Sequence, residues 1–320
     1  MVPADFEQIT WDEQLEQDLS LLVDLALKED LGDWHDWTTE ALIPPDAPGQ
    51  AAIILQSPGV LAGLPAVQFI LARTDPQLAV KLLVEDGDFV PTPGPVAEIS
   101  GPARKILCVE RIILNILGRL SGIATLTRQF VKAVEGTGAR IFDTRKTTPG
   151  WRRLEKYAVR CGGGWNHRCG LHEGILIKDN HLSFLAERYP GLSPGQLAAE
   201  AVRKALRYRE ALAPQGRYLL VEVEVESLQD FELVLEAGPD LVLLDNMSPR
   251  ELRQAVEVRN RLNPKVELEA SGGITLETVR QIAETGVERI SVGALTHSAK
   301  ALDFSLEWIL RTPKDRLANS

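Results

Sequence analysis

The stretch LVLLDNMSPRELRQAVEVRNRLNPKVELEASGGITLETVRQIAETGVERISVG, residues 241–293, decides the fold of this chain. Three short apolar runs alternate in it with two longer segments of helical spacing: 241–244, 249–262, 266–268, 276–285 and 290–292. Apolar strands that alternate with amphipathic helices are typical of a parallel sheet covered by helices. The stretch therefore predicts repeated strand–helix units.

The same rhythm extends back along the chain to Gly138. Further strand-like and helical stretches follow one another there: 141–142, 175–177, 196–212, 218–225 and 228–237. Six or seven such units fit a barrel better than an open doubly wound sheet. A dinucleotide-binding fold is disfavoured because no Gly-x-Gly-x-x-Gly opens a helix after the first strand. We predict an α/β fold in which residues 123–299 form an incomplete (β/α) barrel.

The first part of the chain has a different pattern. Helical spacing at 12–31 and 65–72 is combined with strand-like runs at 51–55, 78–84 and 96–99. These elements predict an N-terminal α+β sandwich domain over residues 1–122. A long linking helix begins at Ala103, and Gly118 and Gly122 are expected to bend or break it. We expect a C-terminal helix, at about 300–320, to pack back on this domain.

The composition excludes several classes of protein. The chain has 35 Lys and Arg against 45 Asp and Glu, a formal net charge of −10, which argues against nucleic-acid binding. No apolar run approaches the ~20 residues that a bilayer span requires, and the N-terminus lacks a signal-peptide pattern. The three cysteines have no metal-like spacing, which favours reduced thiols. We expect a cytoplasmic protein without nucleic-acid or membrane partners.

One segment is rich in basic residues, although the chain as a whole has a negative net charge. Between residues 145 and 178 there are eight Lys or Arg residues and two acidic ones. Arg145 and Lys146 follow the first predicted barrel strand. A run of three glycines ends at Gly164, and His167 and Arg168 follow it, which indicates a ligand-binding loop. A cationic segment in an acidic protein predicts an anionic ligand.

Polar residues or glycines end every strand predicted in the barrel. In (β/α) barrels this end carries the chemistry. The strands after the first end in Lys178, Glu224, Asp245, Ser271-Gly272-Gly273 and Gly293. Glu224 and Asp245 are surface carboxylates, or they hold a divalent cation together with substrate phosphates, and their place at strand ends favours the cation. Glycines after the last two strands are typical of phosphate sites.

These residues lie in motifs that resemble the quinolinate phosphoribosyltransferase family, the decarboxylating nicotinate-nucleotide pyrophosphorylases of de novo NAD synthesis. The similar motifs run in order along the chain: ERIILNILGRLSGIAT (110–125), DTRKTTPG (143–150), EKYAVRCGGG (155–164), NHR (166–168), LIKDNH (176–181), VEVE (221–224), LLDN (243–246), EASGGI (269–274) and SVGALTHS (291–298). The similarity extends from about residue 15 to about residue 310.

The resemblance implies an activity and a role for each matching residue. The activity is phosphoribosyl transfer from phosphoribosyl pyrophosphate to quinolinate with decarboxylation, in a homodimer or hexamer that uses Mg²⁺. The quinolinate carboxylates would be held by four residues of one subunit and by one of its partner: Arg145, His167, Arg168 and Lys178, with Arg111. Phosphoribosyl pyrophosphate and its metal would be held by Lys146, Glu224, Asp245, Ser271, Gly272, Gly273 and Gly293, of which Lys146, Glu224 and Asp245 are the expected catalytic residues.

Three alternatives stay open at this point. A related phosphoribosyltransferase that acts on another planar acid, such as the molybdenum-transport-associated relatives, would share the fold. A catalytically silent ligand-binding paralogue would share it too, although it would not need Lys146, Glu224 and Asp245. Lysine Schiff-base chemistry on Lys178 is a third hypothesis.

Overall fold

The structure is a computed structural model of the chain, and it describes residues 5–33, 35–212, 214, 219–229 and 231–309. The chain divides into two compact units. The antiparallel unit comprises Ile9–Leu126, Thr148–Gly163 and the described residues from Ala299 onward. The barrel unit comprises the described residues up to Gln8, together with Thr127–Thr147 and Gly164–Ser298. Each unit is therefore assembled from separate segments of the chain.

The elements are numbered in chain order. Those up to the end of the long helix are α1 Glu13–Leu31, α2 Trp37–Leu42, β1 Pro48–Leu55, β2 Gly59–Val60, α3 Leu64–Thr74, β3 Ala79–Leu82, β4 Phe89–Val90, β5 Gly94–Pro102 and α4 Ala103–Ala133. Those that follow are β6 Arg140–Phe142, α5 Arg152–Cys161, β7 Gly174–Ile177, α6 Asp179–Arg188, α7 Pro194–Leu212, β8 Leu220–Val225, α8 Phe231–Ala237, β9 Leu241–Asp245, α9 Pro249–Leu262, β10 Glu267–Ser271, α10 Val279–Ala283, β11 Arg289–Ser291, α11 Ala294–His297 and β12 Phe304–Trp308.

The antiparallel unit is built on a four-stranded sheet with the order β12-β1-β5-β3. Its buried face carries Ile53 and Leu55 of β1 and Ile99 of β5. Helix α3 buries Val67 and Ile70, because apolar residues recur on one side of it at helical spacing. The prediction of mixed α and β structure in this region is confirmed.

Helix α4 continues through Gly118 and Gly122, so the predicted break is wrong, whereas the alternative of a bend stays a prediction. The two glycines serve a close approach of the chain segment from Ala299 to Leu302. A Cβ at Gly118 would lie 2.7 Å from the carbonyl oxygen of Leu302. At Gly122 it would lie 2.1 Å from the carbonyl oxygen of Lys300. The helix thus lacks side chains at these two positions because backbone packs there.

The helix predicted for about residues 300–320 is also wrong where the structure describes this segment. Residues 304–308 form β12, which pairs antiparallel with β1 from Leu55↔Phe304 to Ala51↔Trp308. Strand pairing between distant parts of the chain overrides the local helical preference, because β1 offers unpaired backbone groups along its edge. The residues beyond 309 lie outside the described part.

The barrel unit holds a parallel six-stranded sheet with the order β6-β11-β10-β9-β8-β7. Helices α7, α8, α9 and α10 connect successive strands from β7 to β11. Among the described strands β6 and β7 are the two edges, and Trp165 forms an isolated parallel bridge with Phe142 of β6. The predicted α/β fold with an incomplete barrel is confirmed. In the described ranges there is no helix with the length and apolar character that a membrane crossing needs.

We predict that Gly122→Ala destabilises the protein, although alanine is the better helix former by about 1 kcal/mol. The added methyl group would displace the backbone at Lys300, at a cost of about 1–3 kcal/mol, and lower the melting temperature. Gly138→Ala is the control, because a Cβ there meets no described heavy atom within 4 Å. A melting temperature that is unchanged or higher in Gly122→Ala would contradict this packing.

Candidate active site

A cavity of about 620 Å³ lies at the carboxyl ends of the barrel-unit strands. Eleven of the twelve residues that the sequence singles out line it: Arg145, Lys146, His167, Arg168, Lys178, Glu224, Asp245, Ser271, Gly272, Gly273 and Gly293. Parallel strands bring their carboxyl ends to one edge of a sheet, which explains how residues far apart in sequence meet. The twelfth residue, Arg111, is exposed on α4 in the antiparallel unit.

The backbone of Lys146 is held by Thr296 of α11 and by Thr144. Its carbonyl oxygen accepts a hydrogen bond from Thr296 Oγ1 at 2.8 Å, and its backbone N–H donates to Thr144 Oγ1 at 3.0 Å. A Cβ at Gly293 would lie 3.1 Å from Lys146 Cδ. Glycine at this position therefore makes room for the lysine side chain.

Arg145 and Arg168 form a cationic pair in the cavity wall. Burial, followed by the charge of Arg145, lowers the pKa of Arg168, although Glu222 and Glu173 act in the opposite direction. The Nε groups of both arginines are buried and have no hydrogen-bond partner among the described residues. Two neighbouring guanidinium groups with unmet donors are suited to bind carboxylates or phosphates.

Lys178 and Glu224 form an ion pair, in which the lysine ammonium group contacts Glu224 Oε2. Lys178 directly precedes α6, and its backbone N–H donates to His181 Nδ1 at 2.9 Å. The lysine side chain is 44% exposed and the glutamate side chain 9% exposed, so the pair lies at the cavity mouth. Lys178 was predicted to bind a quinolinate carboxylate and Glu224 to bind the metal. In this structure the two side chains compensate each other's charge.

Three carboxylates at the ends of β8 and β9 could hold a cation. One oxygen atom from each of Glu224, Glu226 and Asp245 lies within 4.8 Å of the other two. Mg²⁺ prefers oxygen ligands and is bound in proteins by one or two carboxylates together with substrate phosphates and water. The donor set therefore fits the predicted Mg²⁺, and exposed Glu226 is a third candidate ligand that the sequence reading did not include.

The turn after β10 requires glycine. Gly272 has φ 95° and Gly273 has φ 59°, both in the left-handed region. A Cβ on Gly272 would lie 2.2 Å from Asn246 Oδ1. The backbone therefore comes close to the cavity without side chains in between, as a phosphate-binding turn requires.

His167 lines the cavity, and both of its ring nitrogens face protein groups. Nδ1 accepts a hydrogen bond from the backbone N–H of Arg168 at 2.8 Å, which places the ring proton on Nε2. Nε2 lies 3.0 Å from Glu222 Oε2 and 3.5 Å from Glu269 Oε1. This arrangement disfavours a metal ion on His167, because Nε2 would have to lose its proton.

Glu222 and Glu269 are fully buried, and Glu269 also lines the cavity. Burial tends to raise the pKa of Glu222, but the interaction with His167 and the charges of Arg289 and Arg168 outweigh it and hold the pKa below the usual value. For Glu269, burial and the neighbouring charge of Glu222 prevail and raise the pKa, although its Oε2 accepts a 2.9 Å hydrogen bond from Arg289 Nε. The two carboxyl groups thus differ in their tendency to ionise.

The sequence places Glu222 and Glu269 among the polar residues of the barrel strands, but neither was predicted as a site residue. Glu222 stands two residues before Glu224, and Glu269 two residues before Ser271. Alternate residues of a strand share one face, so these positions point inward below the predicted ones. The spacing of two residues from Glu224 and from Ser271 was the feature of the sequence that could have identified Glu222 and Glu269. His297, which also lines the cavity, stands in the SVGALTHS motif without a periodic signal.

We predict that Glu222→Gln lowers the melting temperature at pH 7, because it removes the anion that faces His167 Nε2. The loss should correspond to about 2 kcal/mol, the scale of a hydrogen bond to a charged group. The folded-state pKa of Glu222 lies below its unfolded value of about 4.5. The stabilisation is therefore fully present above that value and is lost as the pH falls further. Glu226→Gln, at an exposed position, is the control, and an equal difference at pH 7 and pH 4 would contradict the assignment.

Comparisons with known proteins agree with this geometry. Residues 123–307 match the family model for the quinolinate phosphoribosyl transferase C-terminal domain, and residues 36–121 match the model for the N-terminal domain. The chain is 42% identical over 284 residues to the nicotinate-nucleotide pyrophosphorylase (carboxylating) of Mycobacterium leprae (strain TN), covering 88% of this chain and 94% of the relative.

A plant protein and a solved structure are similar over most of their length. Quinolinate phosphoribosyltransferase (decarboxylating) 1b of Nicotiana tabacum is 39% identical over 303 residues, covering 91% of this chain and 82% of the relative. The nicotinate-nucleotide pyrophosphorylase from Francisella tularensis superposes with a TM-score of 0.82 at 35% identity, covering 95% of this chain and 100% of that chain. The chain therefore belongs to the quinolinate phosphoribosyltransferase family.

Proposed function

We propose that this protein transfers the phosphoribosyl group of phosphoribosyl pyrophosphate to quinolinate with decarboxylation, and so forms nicotinate mononucleotide, pyrophosphate and CO₂ for NAD biosynthesis. The observation that carries the proposal is the pair of guanidinium groups of Arg145 and Arg168, which line the same cavity as Glu224, Asp245 and a glycine turn. One cavity thus offers cations for a dicarboxylate beside groups suited to a phosphorylated sugar.

Quinolinate is held by charge and by shape. Arg145 and Arg168 each offer a fork of N–H donors to a carboxylate, and Lys178 adds a third cation at the mouth of the cavity. His167 forms the floor of this subsite, since its ring nitrogens face Glu222 and the backbone of Arg168. Fixing both carboxylates sets the direction in which the pyridine nitrogen approaches the ribose carbon.

The phosphoribosyl group is held on the other side of the cavity. Lys146 stabilises negative charge on the leaving pyrophosphate, and the backbone of Ser271-Gly272-Gly273 and Gly293 receives phosphate oxygens. Glu224 and Asp245 face the oxocarbenium-like ribose carbon and would hold Mg²⁺. When bound, this metal neutralises charge on the pyrophosphate.

The reaction proceeds in two bond changes. The ring nitrogen forms a bond to the ribose carbon as the bond from that carbon to pyrophosphate breaks. The nitrogen then carries a positive charge and stabilises the electron pair left on the adjacent carbon when its carboxylate departs as CO₂. That carbon takes up a proton. The fixed cations thus orient the ring for both changes.

We further propose that the protein acts in the cytoplasm as a homodimer or hexamer with shared active sites. Arg111 supports the proposal because it is exposed on α4, where a second subunit could receive it.

The direct test is to incubate the protein with Mg²⁺, phosphoribosyl pyrophosphate and quinolinate. We expect CO₂ and pyrophosphate in equal amounts. Nicotinate, which lacks one carboxylate, is the control substrate and should react poorly. Preferred turnover of nicotinate or of another planar acid would replace this function with that of a different phosphoribosyltransferase.

We predict that Lys146→Ala and Glu224→Ala each lower turnover by roughly 10²-fold or more, the scale of one preorganised electrostatic group. Lys265→Ala, an exposed lysine outside the cavity, should retain normal turnover. Steady-state rates of pyrophosphate release provide the measurement. Near-normal turnover in both cavity variants would refute their roles.

We predict that mixing inactive Arg111→Ala subunits with inactive Lys146→Ala subunits restores part of the activity. In a mixed dimer one of the two shared sites would receive an intact residue from each subunit. Activity is measured after the two variants have exchanged subunits, and each variant exchanged with itself is the control. Absence of recovery in verified mixed dimers would count against a shared site.

A further inference from the structure

The cationic pair of the cavity comes from two separate segments of the chain. Arg145 follows β6, whereas Arg168 follows the three glycines that end at Gly164. Their backbones first meet below the cavity, where Trp165 N–H donates to the carbonyl oxygen of Ile141 at 2.8 Å and Asp143 N–H donates to that of Trp165 at 3.0 Å. This short ladder of two backbone hydrogen bonds lies immediately before the loop that carries Arg145 and the loop that carries Arg168.

Asp143 continues the ladder with its side chain. It is fully buried, and each carboxylate oxygen accepts a hydrogen bond from the second segment. Oδ2 accepts from Asn166 Nδ2 at 2.6 Å, and Oδ1 accepts from the backbone N–H of His167 at 2.9 Å. One carboxylate thus joins the chain two residues before Arg145 to the chain directly before Arg168.

The second segment is also fixed from its other side. Gln8 accepts a hydrogen bond from the backbone N–H of Asn166 at 2.8 Å and donates to its carbonyl oxygen at 3.1 Å. Arg168 NH1 donates to the carbonyl oxygen of Gly174 at 2.9 Å. These contacts fix the second segment to the barrel unit, but they do not set its distance from the loop of Arg145.

We propose that Asp143 is a positioning residue for the acid substrate: it joins the loops of Arg145 and Arg168 so that their guanidinium groups are held at the spacing of the two quinolinate carboxylates. The inference rests on the proposed function. Two like charges repel each other, and the Asp143 carboxylate extends the backbone ladder to the base of both loops that carry them. A carboxylate suits this joint because each of its two oxygen atoms accepts a hydrogen bond.

The test uses Asp143→Asn, in which the side chain offers one acceptor instead of two, so that either Asn166 Nδ2 or the backbone N–H of His167 loses its acceptor. We expect the KM for quinolinate to rise roughly tenfold or more, in line with the cost of small misplacements in active sites. The KM for phosphoribosyl pyrophosphate should stay unchanged. The double variant Asp143→Asn with Asn166→Asp restores one donor and one acceptor, and it should recover most of the affinity for quinolinate.

Asp240→Asn is the matched control. Asp240 Oδ2 accepts from Val221 N–H at 2.7 Å and from Arg209 NH1 at 2.5 Å, at the amino end of β9 and away from the cavity. This variant should lower the melting temperature without a change in the KM for quinolinate.

Turnover of quinolinate by the unsubstituted protein reports on the proposed function, whereas the ratios between variants report on Asp143. A normal KM for quinolinate in Asp143→Asn would overturn the proposal. Equal losses for both substrates without rescue in the double variant would also overturn it, because they would indicate a structural role alone.

Discussion

Charged groups inside the barrel unit have to be satisfied by one another, and the arrangement of the cavity depends on this constraint. The Arg289 side chain is fully buried; it forms ion pairs with Asp5 and Glu269, and its guanidinium carbon lies 3.8 Å from the centre of the Phe142 ring. Buried ion pairs contribute little net stability compared with apolar packing, because removing charges from water is costly. Arg289, Asp5 and Glu269 are therefore better understood as charges held in fixed positions next to the residues of the cavity than as a source of stability.

The cavity combines opposite charges at close range. Glu222 faces His167 from below, while Lys178 contacts Glu224 at the mouth. Anionic substrates entering such a site replace protein carboxylates as partners of the cations. In the free protein Glu224 compensates the charge of Lys178, whereas Arg145 and Arg168 keep unmet donors. The local cations can thus bind anionic substrates although the whole chain carries a net charge of −10.

Much of the barrel unit and its cavity could be predicted because both depend on local patterns. Apolar runs mark the strands, and polar residues at their ends, such as Glu224 and Asp245, meet wherever parallel strands are aligned. The failures have a common cause in contacts between distant residues. The glycines of α4 look like helix breakers until the segment near Lys300 is seen against them, and β12 pairs with a strand about 250 residues earlier in the chain. Asp143 and Asn166 likewise gain their roles from each other.

The two ends of the described chain belong to opposite units. Phe6 packs against the ring of His167 in the barrel unit, with 4.6 Å between the ring centres, whereas β12 completes the sheet of the antiparallel unit. During synthesis on the ribosome, all six barrel strands emerge before β12, and β1 keeps an unpaired edge until that strand arrives. An excised barrel fragment would lack Phe6, and an excised N-terminal fragment would lack β12. Neither fragment would contain all the segments of its unit.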